Sequence, residues 1–315
     1  MSATPVMIEL SAVAMALKDG EVCALTARSG ADHQTGLPFG PFDADAHRTF
    51  ELALRDFVTA QTGLRLGYVE QLYTFGDAGR DTPLARVEGR APANRLVSVG
   101  YLALAPQAAD VSIAGAAWRP WATFFPYEDW RHGRPDLVDA VIGPALMAWA
   151  GKDAARQSRA ESLFALNGRA AWRDEWVLDR YELLYEAGLT PEAARDRGGV
   201  APIEAADALG AVMVSDHRRI LATGLGRLRG KLRYRPVIFD MMPETFTLLH
   251  LQKAVEAVTG QLVHKQNFRR GVERAGLVER TGQMETATGG RPAELFRRNE
   301  AVEGSALGLS LPILR

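Results

Sequence analysis

Apolar runs alternate with turn chemistry through the first hundred residues, a pattern that predicts strands before helices. MIELSAVAMAL and EVCALTAR read as two strands paired across Lys18-Asp19-Gly20, whose composition suits a tight hairpin turn. A Gly/Pro-rich loop, TGLPFGPFDAD, leads into a helix from about His47 to Thr62. On it Phe50, Leu54, Phe57 and Val58 recur at helical spacing, and Gly63 supplies a stop. LRLGYVEQLYTFG and RLVSVGYLALAP return to strand character, and VSIAGAAWRPWATFFPYED adds an aromatic strand. From about Asp129 to Asp207 the apolar residues repeat at three and four, predicting helices in which Trp176, Tyr181, Leu184 and Tyr185 are core. LGAVMVSD then reads as a strand, and HRRILATGLGRLRGKLRY as a basic helix over about 216–233. The fold class implied is α+β.

The last basic segment, Phe246 to Arg298, follows a different pattern. Thr247 can cap a helix that runs to Val258 and ends at Gly260, with Leu248, Leu251 and Val255 as its inner stripe. A second helix begins near His264. At about 100° per residue, Val272 and Ala275 fall on the same side as Phe268, while Gln266, Arg269, Arg270 and Glu273 fall on the opposite side. LVERTG and PAELFRR follow as two strands, with Gly289-Gly290 in the turn and Arg291 near its tip. This order is that of a winged helix-turn-helix. Gln and Arg on the outer face suit bidentate contacts to adenine and guanine edges in a major groove, and Lys265 and Asn267 flank them toward phosphate.

Charge sharpens this reading. The chain of 315 residues has a formal net charge of -1. Residues 217–298 hold 16 Lys and Arg against 7 Asp and Glu, so that segment is at +9 and the remainder at about -10. A basic part joined to an acidic part implies that only the C-terminal region meets a polyanion. The basic helix over 216–233 is a candidate for phosphate contact as well as for relaying a signal. The composition, 47% hydrophobic and 24% charged, is that of an ordinary globular chain, with no membrane span expected. The single cysteine, Cys23, excludes a disulfide framework and a cysteine-rich zinc site, and its apolar surroundings make it packing. A cytoplasmic location is the expectation.

GPFDADAHRTFELALRDFVTAQTGL invites comparison with the Nudix box, in which glutamates along one helical face bind divalent metal. Aligned on Gly63-Leu64, the expected Arg-Glu pair is Asp56-Phe57, and the two metal-binding glutamates are Ala60-Gln61. The spacing from Gly40 is also two residues longer than the motif requires. These side chains cannot hold the metal, so no enzyme is expected.

Four stretches carry a family resemblance: Gly67 to Asp81, RLVSVGYLAL, the run from SDHRRIL to LLHLQ, and HKQNFRR…GGRPAELF. They resemble the Nudix-related transcriptional regulators of NAD metabolism, closest to the NadQ type and similar to NrtR. The resemblance spans residues 1–130 and 205–298 and implies a Nudix-like domain over 1–235. That domain carries a helical insertion at about 130–207 and is followed by a winged helix-turn-helix over 236–315. It further implies a ligand-responsive repressor of NAD biosynthesis or salvage genes that binds a palindromic operator as a homodimer. The partner is double-stranded DNA, no membrane is involved, and no cofactor is expected. The effector implied is an NAD-related adenine nucleotide: ADP-ribose, NAD or ATP. The alternatives are an active Nudix-type ADP-ribose pyrophosphatase and a nucleotide-binding adaptor with no DNA role.

Without metal-binding glutamates, a diphosphate needs arginine or backbone donors. Arg28, Arg48 and Arg80 are the candidates. Tyr73 and Phe75 can stack on adenine, one of the two being core. Asp77 or Glu70 can accept from ribose hydroxyls. For each arginine a surface or salt-bridge role stays open, and His217 reads as a cap or packing residue.

Overall fold

The computed structural model describes residues 6–29, 34–77, 95–106, 111, 113–168, 170–198, 208–285 and 292–302. Strands β1 (Val6–Lys18) and β2 (Glu21–Ser29) form the expected antiparallel hairpin, with Lys18 opposite Glu21. Asp19 and Gly20 both take positive φ, 52° and 82°, the geometry of a two-residue hairpin turn whose twist matches the strands. Strands β3 (Gln34–Gly36) and β4 (Phe39–Pro41) are short additions. They are followed by β5 (Val69–Phe75), β6 (Arg95–Ala105) and β7 (Ala117–Pro120). Among the described residues these make a seven-stranded mixed sheet in the order β3-β2-β1-β6-β5, with β4 on β1 and β7 on β2. The long β1–β6 pair is parallel and its neighbours are antiparallel.

Side-chain alternation divides the sheet into two buried faces. Leu10, Ala12, Ala14 and Ala16 pack with Leu54 and Val58 of helix α1 (Phe50–Thr62). Thr49 caps α1 by accepting from the Leu52 amide, and Gly63 closes it at φ 77°. The other face, with Val13, Met15, Leu102 and Leu104, joins a core that is continuous with the rest of the molecule.

That second face is covered by the insertion and by the segment after it. A π-turn (Val138–Ile142) leads into α2 (Gly143–Ala150), followed by α3 (Ala154–Leu163), α4 (Val177–Glu186) and α5 (Pro191–Asp196). Tyr181 and Leu184 are fully buried, while Trp176 and Tyr185 are half-buried. LGAVMVSD is not a strand. Residues 209–216 run as an irregular connection in which Ala211 bonds to Thr123 and Val214 to Thr35, one backbone bond each. Its apolar residues serve core contact without a ladder; Met213 and Val214 are buried.

The basic helix is α6 (His217–Lys231), and the expectation that it offers phosphate contacts is corrected. Arg218, Arg229 and Lys231 are buried, and Arg219 is engaged by Asp77, Glu182 and Asp216. Arg227, by contrast, is exposed and donates to Leu72 O at 3.3 Å, so the buried charge is that of Arg218, Arg229 and Lys231 rather than of the whole helix.

A short 3-10 turn (Val237–Met241) leads to the C-terminal unit: β8 (Thr245–Thr247), α7 (Leu248–Thr259), α8 (Lys265–Arg274), β9 (Val278–Glu285) and β10 (Ala293–Arg298). The three strands form one antiparallel sheet in the order β8-β10-β9, so the wing gains a third strand from the segment ahead of the helices.

Cys23 lies inside β2, where burial, aided by Glu21, pushes its thiol up to about 11. The thiolate is the reactive form, so native protein at about pH 8 is expected to resist alkylation, and denaturant should release one reactive thiol. Rapid stoichiometric labelling of the native chain would contradict the buried placement.

Candidate DNA-reading face and nucleotide site

The helix-turn-helix is defined by its caps. The Thr247 hydroxyl accepts from the His250 amide at 3.1 Å, and Gly260, at φ 69°, closes α7 by donating to Glu256 O at 2.9 Å. Glu256 then fixes the turn, because its carboxylate accepts from the Val263 amide and from Gln252 Nε2, both at 3.0 Å. The His264 side chain caps α8 by accepting from the Asn267 amide at 3.4 Å. Phe268 and Val272 are buried and pin α8 to the core; Ala275 packs beside them.

On the outer side Lys265, Gln266, Asn267, Arg270, Glu273 and Arg274 are exposed. Arg269 is half-buried, with Nε enclosed and without a hydrogen-bond partner among the described residues. Arg270 leans on Asn267 Oδ1 at 3.5 Å, a contact weak enough to leave its guanidinium available. In the wing, Arg280 pairs with Glu294 and Glu273, and Arg297 with Glu279. Arg291 lies outside the described residues.

The nucleotide candidates do not converge on one pocket. Tyr73 and Phe75 stand edge to face at 5.2 Å as neighbours on one side of β5, beyond a bulge at Leu72. Phe75 is core at 5% exposure, while Tyr73 is 59% exposed. Asp77 bonds to Arg219 Nη1 at 2.5 Å, and the same guanidinium lies 5.2 Å from the Phe75 ring. Tyr73, Phe75, Asp77 and Arg219 thus form one cluster at the β5 edge. Arg219 was not singled out from the sequence, although it sits in the family-like HRRIL run.

Arg28 is elsewhere. It is opposite Thr35 on β2, packed against Gly115, and three strands or about 14 Å from β5. Arg48 precedes α1 on the other face of the sheet, and Arg80 lies outside the described residues. Glu70 is held by Lys231 and by the Tyr68 hydroxyl. His217 packs as expected. Its Nδ1 accepts from the Leu37 amide at 2.9 Å, and its Nε2 points to Glu9 at 4.0 Å, beside Ser11 and Ser98.

The Nudix-box positions have other occupations. The Gln61 side chain bonds both ends of the Phe39 peptide, accepting from N at 3.1 Å and donating to O at 2.5 Å. The Phe57 ring fills the space above Gly40, where an added Cβ would meet it at 2.6 Å. Ala60 offers no donor. Among the described residues no group of three or more His, Cys, Asp or Glu could hold a metal ion.

Residues 238–298 match the model of the NrtR DNA-binding winged helix domain. That match covers the C-terminal winged helix alone. An ADPR responsive transcriptional repressor NtrR from Acinetobacter baylyi is 40% identical over 82 residues, 26% of this chain. The match spans 32% of that relative's length. The NrtR fold extends further than the sequence match. The crystal structure of Shewanella oneidensis NrtR complexed with a 27mer DNA aligns over 94% of this chain and 95% of that one, with TM-score 0.55 and 20% identity. A MutT/nudix family protein from Enterococcus faecalis aligns over 95% and 88%, with TM-score 0.51 and 14% identity. The architecture is NrtR-type: a Nudix-like body followed by a winged helix, α+β as expected. No helix among the described residues is long and apolar enough to cross a membrane.

Proposed function

We propose that this chain is an ADP-ribose-responsive transcriptional repressor of NAD biosynthesis or salvage genes, acting as a homodimer on a two-fold operator. The observation that carries the reading is the exposed Gln266–Arg270 face on a helix pinned by Phe268 and Val272, within a domain of the NrtR DNA-binding type. Gln and Arg spaced four apart on one helical face can address adjacent base edges, which neither a pyrophosphatase nor an adaptor requires. The choice of ADP-ribose over NAD or ATP is supported by the A. baylyi relative, which is named for it. The ligand's place is the Nudix-like body. Tyr73 offers a stacking surface there, and the Asp77–Arg219 pair offers a guanidinium and a carboxylate at the sheet edge.

Mechanistically this is linkage. ADP-ribose alters operator occupancy only as far as it binds one arrangement of the dimer better than another. Operator and ADP-ribose must therefore change each other's affinity by the same factor. Fluorescence anisotropy on promoter fragments, with and without ADP-ribose, and calorimetry of ADP-ribose, with and without operator, measure that factor from both sides. Equal factors different from one are expected. No binding to any promoter of these genes would reject the repressor reading.

The chain is proposed to lack hydrolase activity, supported by Gln61 and Phe57 serving the β4–α1 contact. Incubation with ADP-ribose and Mg²⁺ is expected to release no AMP above the protein-free blank. Turnover at an ordinary enzymatic rate, about 1 s⁻¹ or faster, would favour the pyrophosphatase instead.

A further inference from the structure

The insertion buries an unusual set of charges. Glu128, Arg180 and Arg229 are all fully buried. Arg180, from α4, forks onto Glu128 through Nε at 2.5 Å and Nη2 at 2.8 Å. The plane of Trp172 covers it at 3.7 Å, and its remaining donor reaches Arg173 O and Leu163 O. Arg229, from α6, takes the same carboxylate at 2.7 Å and also donates to Asp174 O at 2.9 Å. Asp174 is buried too and is paired with Arg233.

This knot reaches the DNA-reading unit through the end of α7. A helix leaves its last four carbonyls without intrahelical partners. Here Ala257 O accepts from Trp121 Nε1 at 2.7 Å, and Val258 O accepts from Arg229 Nε at 2.8 Å. Gly260 O accepts from the Trp130 amide at 2.6 Å. A cation at a helix C-terminus also meets the negative end of its dipole. The fit is close, since a Cβ on Gly260 would stand 2.5 Å from Glu128 O and 3.0 Å from Arg229 Nη2. From α7 the hold passes to α8 through Glu256 and the Val263 amide.

We infer that the Glu128 knot, backed by Arg180 of the helical insertion, is a brace, with Glu128 a positioning residue, which fixes the pitch of α7 and hence of the reading helix α8 on the Nudix-like body. Arg180 aims and neutralises Glu128, Glu128 aims Arg229, and Arg229 with Trp121 grips the α7 terminus. In a symmetric dimer the two reading helices then have one separation and one relative angle. The brace makes the chain selective for the spacing of operator half-sites. This rests on the DNA-reading function proposed above.

The test uses the full chain in two variants. Glu128→Gln keeps the shape and removes the charge. Trp121→Phe keeps a ring beneath Arg229 and removes the donor to Ala257 together with part of the indole that packs on Gly260, so it serves if the first variant fails to fold. The first readout is hydrogen exchange without DNA. Amides of α7 and α8 are expected to exchange about tenfold faster or more, with those of β1 and β6 unchanged. The second is binding to operators whose half-sites are separated by extra base pairs, each of which rotates one half-site by about 35° against the other. The preference of the natural chain for one spacing is expected to flatten in the variants, with ADP-ribose affinity unchanged. Unaltered α7 and α8 exchange in a folded variant overturns the brace. So does a uniform loss of affinity that preserves the spacing preference, which is the signature of simple destabilisation. If the natural chain binds no operator, the repressor reading fails by itself, and hydrogen exchange alone decides the brace.

Discussion

Replacing Glu128 with alanine is expected to cost about 3–5 kcal/mol of folding stability. The reason is what remains afterwards. Arg180 and Arg229 have no access to water, and they would keep their charge because a guanidinium does not give up its proton in a protein. Burial already pulls Arg229 below its ordinary pKa, with Glu128 the main opposing influence. Without that carboxylate, backbone carbonyls alone would have to hold both cations. A surface pair provides the contrast. Arg134 and Asp139 meet at 2.7 Å, but the Asp139 side chain is 61% exposed. Asp139→Ala is therefore expected to change stability by less than about 1 kcal/mol. Urea denaturation of both variants measures the difference. Similar midpoints for Glu128→Ala and the natural chain would mean that the knot contributes little to holding the fold.

The same knot shows where sequence reading stops. Local signals were legible because their partners lie within a few residues. The Asp19-Gly20 turn, the Thr247 cap and the Gly63 and Gly260 stops all sit where turn and cap chemistry put them, whereas the Thr49 cap, which starts α1 at Phe50 rather than about His47, was not read. The packed side of α8 followed from helical periodicity, and Phe268 and Val272 are indeed its buried residues. Arg218 and Arg229 were misjudged because a charge count carries no information on burial. Their partners, Glu192 and Glu128, are 26 and 101 positions away. LGAVMVSD failed for a related reason: a short apolar run does not distinguish a strand from a buried connection. The nucleotide candidates were chosen by chemistry without distance: Arg28 lies three strands along the sheet from the β5 cluster, and Arg48 lies on the other face. Arg219, the cation that does meet Asp77, looked like one more residue of a basic helix.

Arg270→Ala is expected to abolish specific operator recognition while leaving the fold intact. Arg270 is exposed, its one side-chain hydrogen bond among the described residues is the weak one to Asn267, and it lies one helical turn from Gln266 on the same face. Removing a bidentate base contact costs about 1–3 kcal/mol of discrimination. A two-fold dimer presents the residue twice, so the loss doubles to about 2–6 kcal/mol, or roughly 30-fold to 10⁴-fold in affinity. Lys265→Ala should behave differently. A phosphate contact carries no sequence information, so its removal weakens all DNA alike and lowers the salt dependence by about one counterion per subunit. Arg269 falls between the two, because its half-buried stem makes alanine there a packing change as well as a charge change. The measurement is a competition series on operator and scrambled DNA at several salt concentrations, with melting curves to confirm the fold. If Arg270→Ala weakens operator and scrambled DNA by the same factor, Arg270 touches phosphate and base reading belongs to another face of α8. If it weakens neither, α8 does not enter the groove, and the winged helix must dock through its wing.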